Sequence, residues 1–274
     1  MNISVFMEHI FDASIQEKRS VSEILEEIKE YGIRGIELDY SRIVSDDTLP
    51  ELINSKRFEI ACVYAFFDFP HNSDFSYPEK VISDLKRHGI KKLMPIPGFI
   101  EKDDDYEKAL ADMYRAMNRL SSLAEKNGIS VCLEDFDDER AVFSTAKGLK
   151  GFIENVNGLG CTFDTGNFIY SGENEQEAFN LLMDNIVHIH CKDRMTQEKI
   201  GEEPKISLKN LPLYSSPVGY GVIGIEQIVK TMLRKGYDGW FAIEHFGSQN
   251  QLSDIKKSAE KLKEWYNDTR NNME

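Results

Sequence analysis

The chain of 274 residues has only four cysteines, Cys62, Cys132, Cys161 and Cys191, each standing alone. Without CxxC spacing or a short secreted framework, they point to neither a zinc cluster nor a disulfide scaffold, but to reduced thiols in a cytoplasmic chain. Basic charge is also scarce. Lys and Arg number 33 against 47 Asp and Glu, a net charge of −14, and that field repels phosphate backbones and anionic lipid surfaces. Nucleic acid and membranes are thereby set aside as partners, although one local basic cleft remains compatible with the total. No apolar run approaches the ~20 residues of a membrane span. The opening MNISVFMEHIFDAS has no basic segment before a long apolar run and no small-residue cleavage pattern, so no signal peptide is expected. No Pro/Ser-rich linker or break in composition divides the chain, which leads us to expect one domain over residues 1–274.

What is present is alternation. Short apolar runs at 3–7, 35–38, 60–65, 92–96, 130–134, 161–164, 186–190 and 240–244 are separated by segments of helical period. Repeated βα units of this kind build α/β folds, and eight of them within ~250 residues give the (β/α)8 TIM barrel. Helix signals fit between the runs. Ser20 with Glu23 makes a capping box, Val21, Ile24, Leu25 and Ile28 share a face, and Gly32 supplies the stop. Pro78 and Gly89 bracket another helix, and 103–105 and Gly128 a third; Ser144 or Thr145, Asn174 and Ile225 seed later ones. The stretch 192–224, rich in Pro and Gly, reads as one long irregular loop, of the sort that covers a catalytic mouth.

Four late strands end in a side chain able to ligate metal: VCLE at Glu134, CTFD at Asp164, HIH at His190 and FAIE at Glu244. Barrel active sites form at the carboxyl ends of strands, where single residues from several strands converge. If these four point inward, so do Cys132, Thr162, His188 and Ala242 one layer below. Any one acid alone reads equally well as a surface residue at a strand end. Three carboxylates crowded into a narrow mouth repel one another, and a divalent cation resolves that repulsion. Oxygen-rich ligation with one imidazole favours Mn2+ or Mg2+, with Co2+ and Zn2+ also compatible.

The segments LED at Glu134, DTGN at Asp164, HIHCKDR at His190, GYG at 219–221 and GYDGWFAIE at Glu244 resemble the xylose isomerase-like sugar isomerase and epimerase superfamily. Their order and spacing agree with it from Ile36 to Glu244, specific for the superfamily and uninformative about substrate. In the ketose 3-epimerase branch, residues matching Glu134, Asp164, His190 and Glu244 hold a metal, and the two glutamates exchange protons with substrate. The resemblance therefore implies Glu134 and Glu244 as catalytic groups and an isomerase or epimerase that works through an enediolate of a sugar, sugar phosphate or polyol ketone. A dehydratase of an inosose-like ketone starts from the same enediolate and is the alternative on this scaffold. From other classes come the DNA-repair endonuclease branch, disfavoured by the acidic charge and only six histidines, and a non-catalytic sugar-binding barrel.

The chain departs from many relatives at Asn167, where they carry a histidine that contacts substrate; an amide can hydrogen-bond a hydroxyl but cannot act as acid or base. Asn167, His188, Arg194 and Glu139 form the candidate substrate-binding set. For His188 the competing reading is a packed residue behind the ligands, for Arg194 and Lys192 a solvated loop charge. Glu37 and Asp39 offer polar contacts, with Asp39 equally a helix cap, and Tyr64, Phe66, Phe67 and Phe69 read as a pocket wall or as ordinary core. Relatives are commonly dimers or tetramers, so a homo-oligomer is also an expectation.

Overall fold

The computed structural model describes residues 1–273. In chain order the elements are β1 (Asn2–Phe6), α1 (Met7–Glu17), α2 (Val21–Glu30), β2 (Gly35–Asp39), α3 (Tyr40–Ser45), α4 (Leu49–Ser55), β3 (Glu59–Phe66), α5 (Ser76–Arg87), β4 (Lys92–Ile96), α6 (Tyr106–Lys126), β5 (Ser130–Glu134), α7 (Ala146–Asn155), β6 (Leu159–Asp164), α8 (Phe168–Ser171), α9 (Glu175–Leu182), β7 (Ile186–Met195), β8 (Lys205–Ile206), β9 (Pro212–Ser216), α10 (Ile225–Arg234), β10 (Trp240–Glu244) and α11 (Gln251–Asn271). Strands β1 to β7 lie side by side in order, and β10 pairs in parallel with both β7 and β1, which closes an eight-stranded barrel.

The strand alternation divides the core in two. Ile3, Val5, Ile36, Leu38, Val63, Leu93, Val131, Leu133, Phe163, Ile189, Phe241 and Ile243 are buried residues of the hydrophobic core, the alternate positions that pack between barrel and helices. Each such side chain contributes ~1.5–3 kcal/mol by leaving water. The other set points into the barrel, where Cys132, Thr162, His188 and Ala242 are all completely buried, as the strand period requires. Gly35 permits the close approach of β2 to β1: a Cβ there would lie 2.6 Å from the Trp240 ring and 2.9 Å from Ser4 Cβ.

Helix boundaries follow the local chemistry. Ser20 and Glu23 complete their capping box, and Gly32 adopts φ +85 after the end of α2. Asp105, Thr145 and Asn174 cap α6, α7 and α9 through their side chains. Pro78 sits in the first turn of α5, third in the helix that opens at Ser76. One sequence expectation is corrected. The segment 192–224 is not irregular throughout, because β7 continues to Met195 and pairs antiparallel with β9, which in turn pairs with β8. Strand β7 keeps its extended form beyond the barrel because β9 satisfies its backbone and because Lys192 and Arg194 find acidic partners inside the mouth.

Candidate metal and active site

The carboxyl ends of β5, β6, β7 and β10 bring Glu134, Asp164, His190 and Glu244 together, with one ligand atom from each within 4.8 Å of all the others. His190 is central. Its Nδ1 lies 2.9 Å from Glu134 Oε2, 3.2 Å from Glu244 Oε2 and 3.9 Å from Asp164 Oδ2. All four residues are buried. Burial pushes the Asp164 carboxyl up to about 8, despite the opposing charge of Lys192, with Glu244 and Glu134 adding to the rise. Burial likewise raises Glu134 against the pull of its hydrogen bond with His190. Burial acts upward on Glu244 too, but Lys192 and His190 outweigh it and hold that carboxyl below the usual range. Burial alone would depress His190, yet hydrogen bonds with Glu134 and Glu244 raise it well above an ordinary histidine. Lys192 and His190 are the basic side chains that face this acid cluster.

A divalent cation fits the donor set. Asp164 Oδ2 is buried without a well-formed hydrogen bond among the described residues, its neighbours being the Lys192 ammonium at 3.3 Å and His190 Nδ1 at 3.9 Å. A buried oxygen left in this way costs ~1–3 kcal/mol, and a coordinating ion removes that cost. Ligand atoms this closely spaced suit metal–oxygen bonds of ~2.0–2.6 Å.

Lys192 turns out to be the central basic residue. Its ammonium donates to Asn167 Oδ1 at 2.8 Å and stands 2.5 Å from Glu244 Oε1 and 3.3 Å from Asp164 Oδ2. Asn167 in turn donates from Nδ2 to the Asp135 carbonyl at 2.8 Å, so this amide anchors the lysine. Arg194 lines the same cleft and pairs with Asp137 at 3.0 Å. Glu139 is exposed and does not line the cleft, whereas Asp137 does. His188 lies beneath His190, completely buried, with Nε2 3.2 Å from Glu37 Oε1, and Ser4 Oγ donates to that same oxygen at 2.7 Å. Glu37 and His188 therefore form a polar floor below the ligands and lie outside the cleft lining. Asp39 both lines the cleft and caps α3 through the Ser41 N–H. Of the aromatic residues proposed as a wall, Tyr64 and Phe66 line it, whereas Phe67 and Phe69 stack on each other in the core.

The turn after β9 is fixed by Asp193 of β7. Its carboxylate accepts N–H bonds from Gly219 and Gly221 at 2.9 Å each, from Arg194 at 2.9 Å and from Ile223 at 3.2 Å. Gly219 has φ +82, and a Cβ at Gly221 would fall 2.2 Å from Asp193 Oδ1, so both glycines are needed for this turn. The sequence shows the glycines but not the carboxylate that gathers their amides. No helix among the described residues is long and apolar enough to cross a membrane.

Known proteins share this fold. Inosose dehydratase 1 of Bacillus cereus is 26% identical over 183 residues, covering 65% of this chain and 59% of that protein. The chain thus spans about three fifths of the length of the curated relatives it matches. Among solved structures, the IOLI protein with a binding zinc atom superimposes with a TM-score of 0.75 at 17% identity, over 98% of this chain and 99% of that one. A D-tagatose 3-epimerase-like protein gives 0.72 at 19% identity, with both chains fully covered. At such identities these likenesses establish the fold. The sequence profile described as xylose isomerase-like TIM barrel matches residues 25–265, and the chain belongs to that family.

Proposed function

We propose that this chain is a divalent-metal-dependent enzyme that moves a proton at the carbon α to the carbonyl of a polyhydroxylated ketone, with isomerisation or epimerisation as the outcome. The observation that carries this reading is the pair of glutamates, Glu134 and Glu244, whose carboxylates both approach His190 Nδ1, at 2.9 and 3.2 Å. They project from β5 and β10, two strands separated by β6 and β7, and so reach a molecule in the cleft from two sides. One glutamate takes the α proton and the other returns a proton to the opposite face or to the neighbouring carbon. Glu134, Asp164, His190 and Glu244 would hold the ion, Mn2+ or Mg2+ by ligand chemistry, which when bound polarises the carbonyl as a Lewis acid. Lys192, locked by Asn167, fixes Glu244 in place and presents an ammonium to a substrate oxygen. The aromatic side chains of Phe6, Tyr64 and Phe246 limit water at the ligand cluster.

A second reading is β-elimination, and Lys192 favours it. Its buried ammonium stands beside Glu244, so a proton donor and a base share one side of the cleft. Glutamate would break the C–H bond, that electron pair would form the C=C bond, and the β-hydroxyl would depart as water with a proton from the ammonium. The curated relatives carry the name inosose dehydratase, which supports this chemistry on the same scaffold. Proton NMR of Mn2+-loaded protein in D2O with 2-keto-myo-inositol and a set of ketoses tests both. Deuterium entering the α position with the carbon skeleton intact is the expected result, lowered ~10²–10⁴-fold in Glu134→Gln and Glu244→Gln. Loss of water with a conjugated ketone as product would select elimination, and no exchange in any ketone would refute proton transfer.

A further inference from the structure

Beneath the ligand cluster lies a second polar group that does not line the cleft. One nitrogen or carboxylate oxygen each from Glu37, His188 and His190 falls within 4.8 Å of the other two, and none of the three residues is more than 1% exposed. A carboxylate this deep is costly unless charge or hydrogen bonds compensate it. Ser4 Oγ donates to Glu37 Oε1 at 2.7 Å, and His188 Nε2 stands 3.2 Å from the same oxygen. The tautomer of His188 follows from its other side. Lys92, the first residue of β4, places Nζ 3.4 Å from His188 Nδ1. An ammonium can donate but not accept, so Nδ1 is the acceptor and the ring proton of His188 faces Glu37.

His190 joins this group to the ligand cluster. Its Nδ1 is turned to Glu134, Glu244 and Asp164. Its Nε2 is buried and has no hydrogen-bond partner among the described residues. The rings that flank it, Phe6 at 5.0 Å and His188 at 5.3 Å between centroids, stand at 77° and 81° to its plane. Such packing fixes the plane but is nearly indifferent to a half-turn about the Cβ–Cγ bond, which would exchange Nδ1 and Nε2 for ring carbons. A carboxylate beneath the ring does discriminate, because it attracts an N–H far more than a C–H. An imidazole that ligates an ion through Nδ1 carries its proton on Nε2, and the group facing that proton sets which nitrogen meets the ion. Among the described residues, Glu37 is the carboxylate outside the ligand set that groups with His190.

Resting on the metal-dependent reading above, we propose that Glu37 is a positioning residue of the metal centre: it faces the Nε2–H of His190 and keeps Nδ1 toward the ion, while Ser4 and the Lys92–His188 pair hold Glu37 from below. The site is then built two layers deep, and a residue that touches neither substrate nor ion sets its affinity. Were Glu37 only a compensated core carboxylate, its loss would lower the melting temperature of the metal-free chain and leave the metal affinity of the folded protein unchanged.

The test measures the Kd for Mn2+ by electron paramagnetic resonance of the free ion, on wild type and Glu37→Gln, beside 15N NMR of the histidine rings in Zn2+-loaded wild type. Glu37→Gln keeps the shape and the Ser4 contact but removes the charge, so its Kd is expected to rise about 10–100-fold. In the NMR spectrum His190, assigned through its bonds to Cβ, is expected to show a zinc-shifted Nδ1 and a protonated, slowly exchanging Nε2. A Kd rise of less than about tenfold in folded Glu37→Gln would overturn this inference alone. A His190 whose Nε2 carries no proton in the zinc-loaded protein would do the same, and this arm decides the matter if the variant does not fold. A wild type that binds neither Mn2+ nor Zn2+ would overturn the metal-dependent reading and this inference with it.

Discussion

Replacing Lys192 by methionine keeps the apolar stem and deletes the ammonium. In the wild-type chain that ammonium lies 2.5 Å from Glu244 and 3.3 Å from Asp164, with the side chain only 7% exposed, so water cannot take its place. Removing one partner of a buried ion pair costs ~3–5 kcal/mol, because the other charge stays buried without compensation. With ~2–4 °C of Tm per kcal/mol for a chain near this size, the metal-free variant should melt roughly 6–20 °C below wild type. The assay is thermal unfolding followed by circular dichroism at pH 8, once in EDTA and once with excess Mn2+. The deficit should shrink with Mn2+, since a bound dication compensates the same carboxylates. A variant in EDTA that melts within ~2 °C of wild type would refute the reasoning, because the ammonium would then not be what holds these acids together.

Three further outcomes follow from the same contacts. Asp193→Ala removes the acceptor of four N–H groups, so stability should fall by ~3 kcal/mol and hydrogen exchange at Gly219 and Gly221 should accelerate; unchanged protection there would contradict the assigned role. His9 is fully buried and its Nε2 accepts the His245 N–H at 3.0 Å; burial, with His245 adding, holds its pKa well below an ordinary histidine's. The folded chain therefore rejects a proton that the unfolded chain accepts, so this stability is present above pH ~6.5 and is lost as pH falls below it, by up to ~1.4 kcal/mol per unit. His9→Asn should reduce that dependence in urea denaturation between pH 7 and 5, while His245 and His188, also depressed, keep part of it in both proteins. Gly35→Ala places a methyl group 2.6 Å from the Trp240 ring and should cost ~1–3 kcal/mol in the same denaturation assay, with no loss counting against the close approach of β1 and β2.

The barrel strands are legible in the sequence because each is an apolar run with a sharp polar end. Residues 92–96, 130–134 and 240–244 match β4, β5 and β10 residue for residue, and the ligands stand at the ends of such runs. Capped helices are legible for the same local reason: the capping box at Ser20 and the side-chain caps at Asp105 and Asn174 are contained in a few neighbouring residues. Helix α1 is not, since it follows β1 directly and Phe6 at its start makes no side-chain cap. The extension of β7 stays hidden because its residues Lys192, Asp193 and Arg194 lack apolar alternation, and their partners Glu244, Gly221 and Asp137 lie far away in sequence. The same limit explains Glu139 and Asp137. Both follow β5 closely, and only the folded chain shows that the second faces Arg194 while the first faces solvent. Glu37 reads as a possible substrate contact from its strand end, but Ser4 and His188 bind it one layer lower.

The most direct test of the central claim is metal content, measured by mass spectrometry on protein purified without chelator, beside Glu244→Gln and His190→Ala after identical dialysis. Near one equivalent of Mn, Mg, Co or Zn per wild-type chain, markedly reduced in both variants, is the expected result. A wild-type chain that takes up no divalent ion even when supplied with excess would contradict it and leave a sugar-binding barrel as the better account.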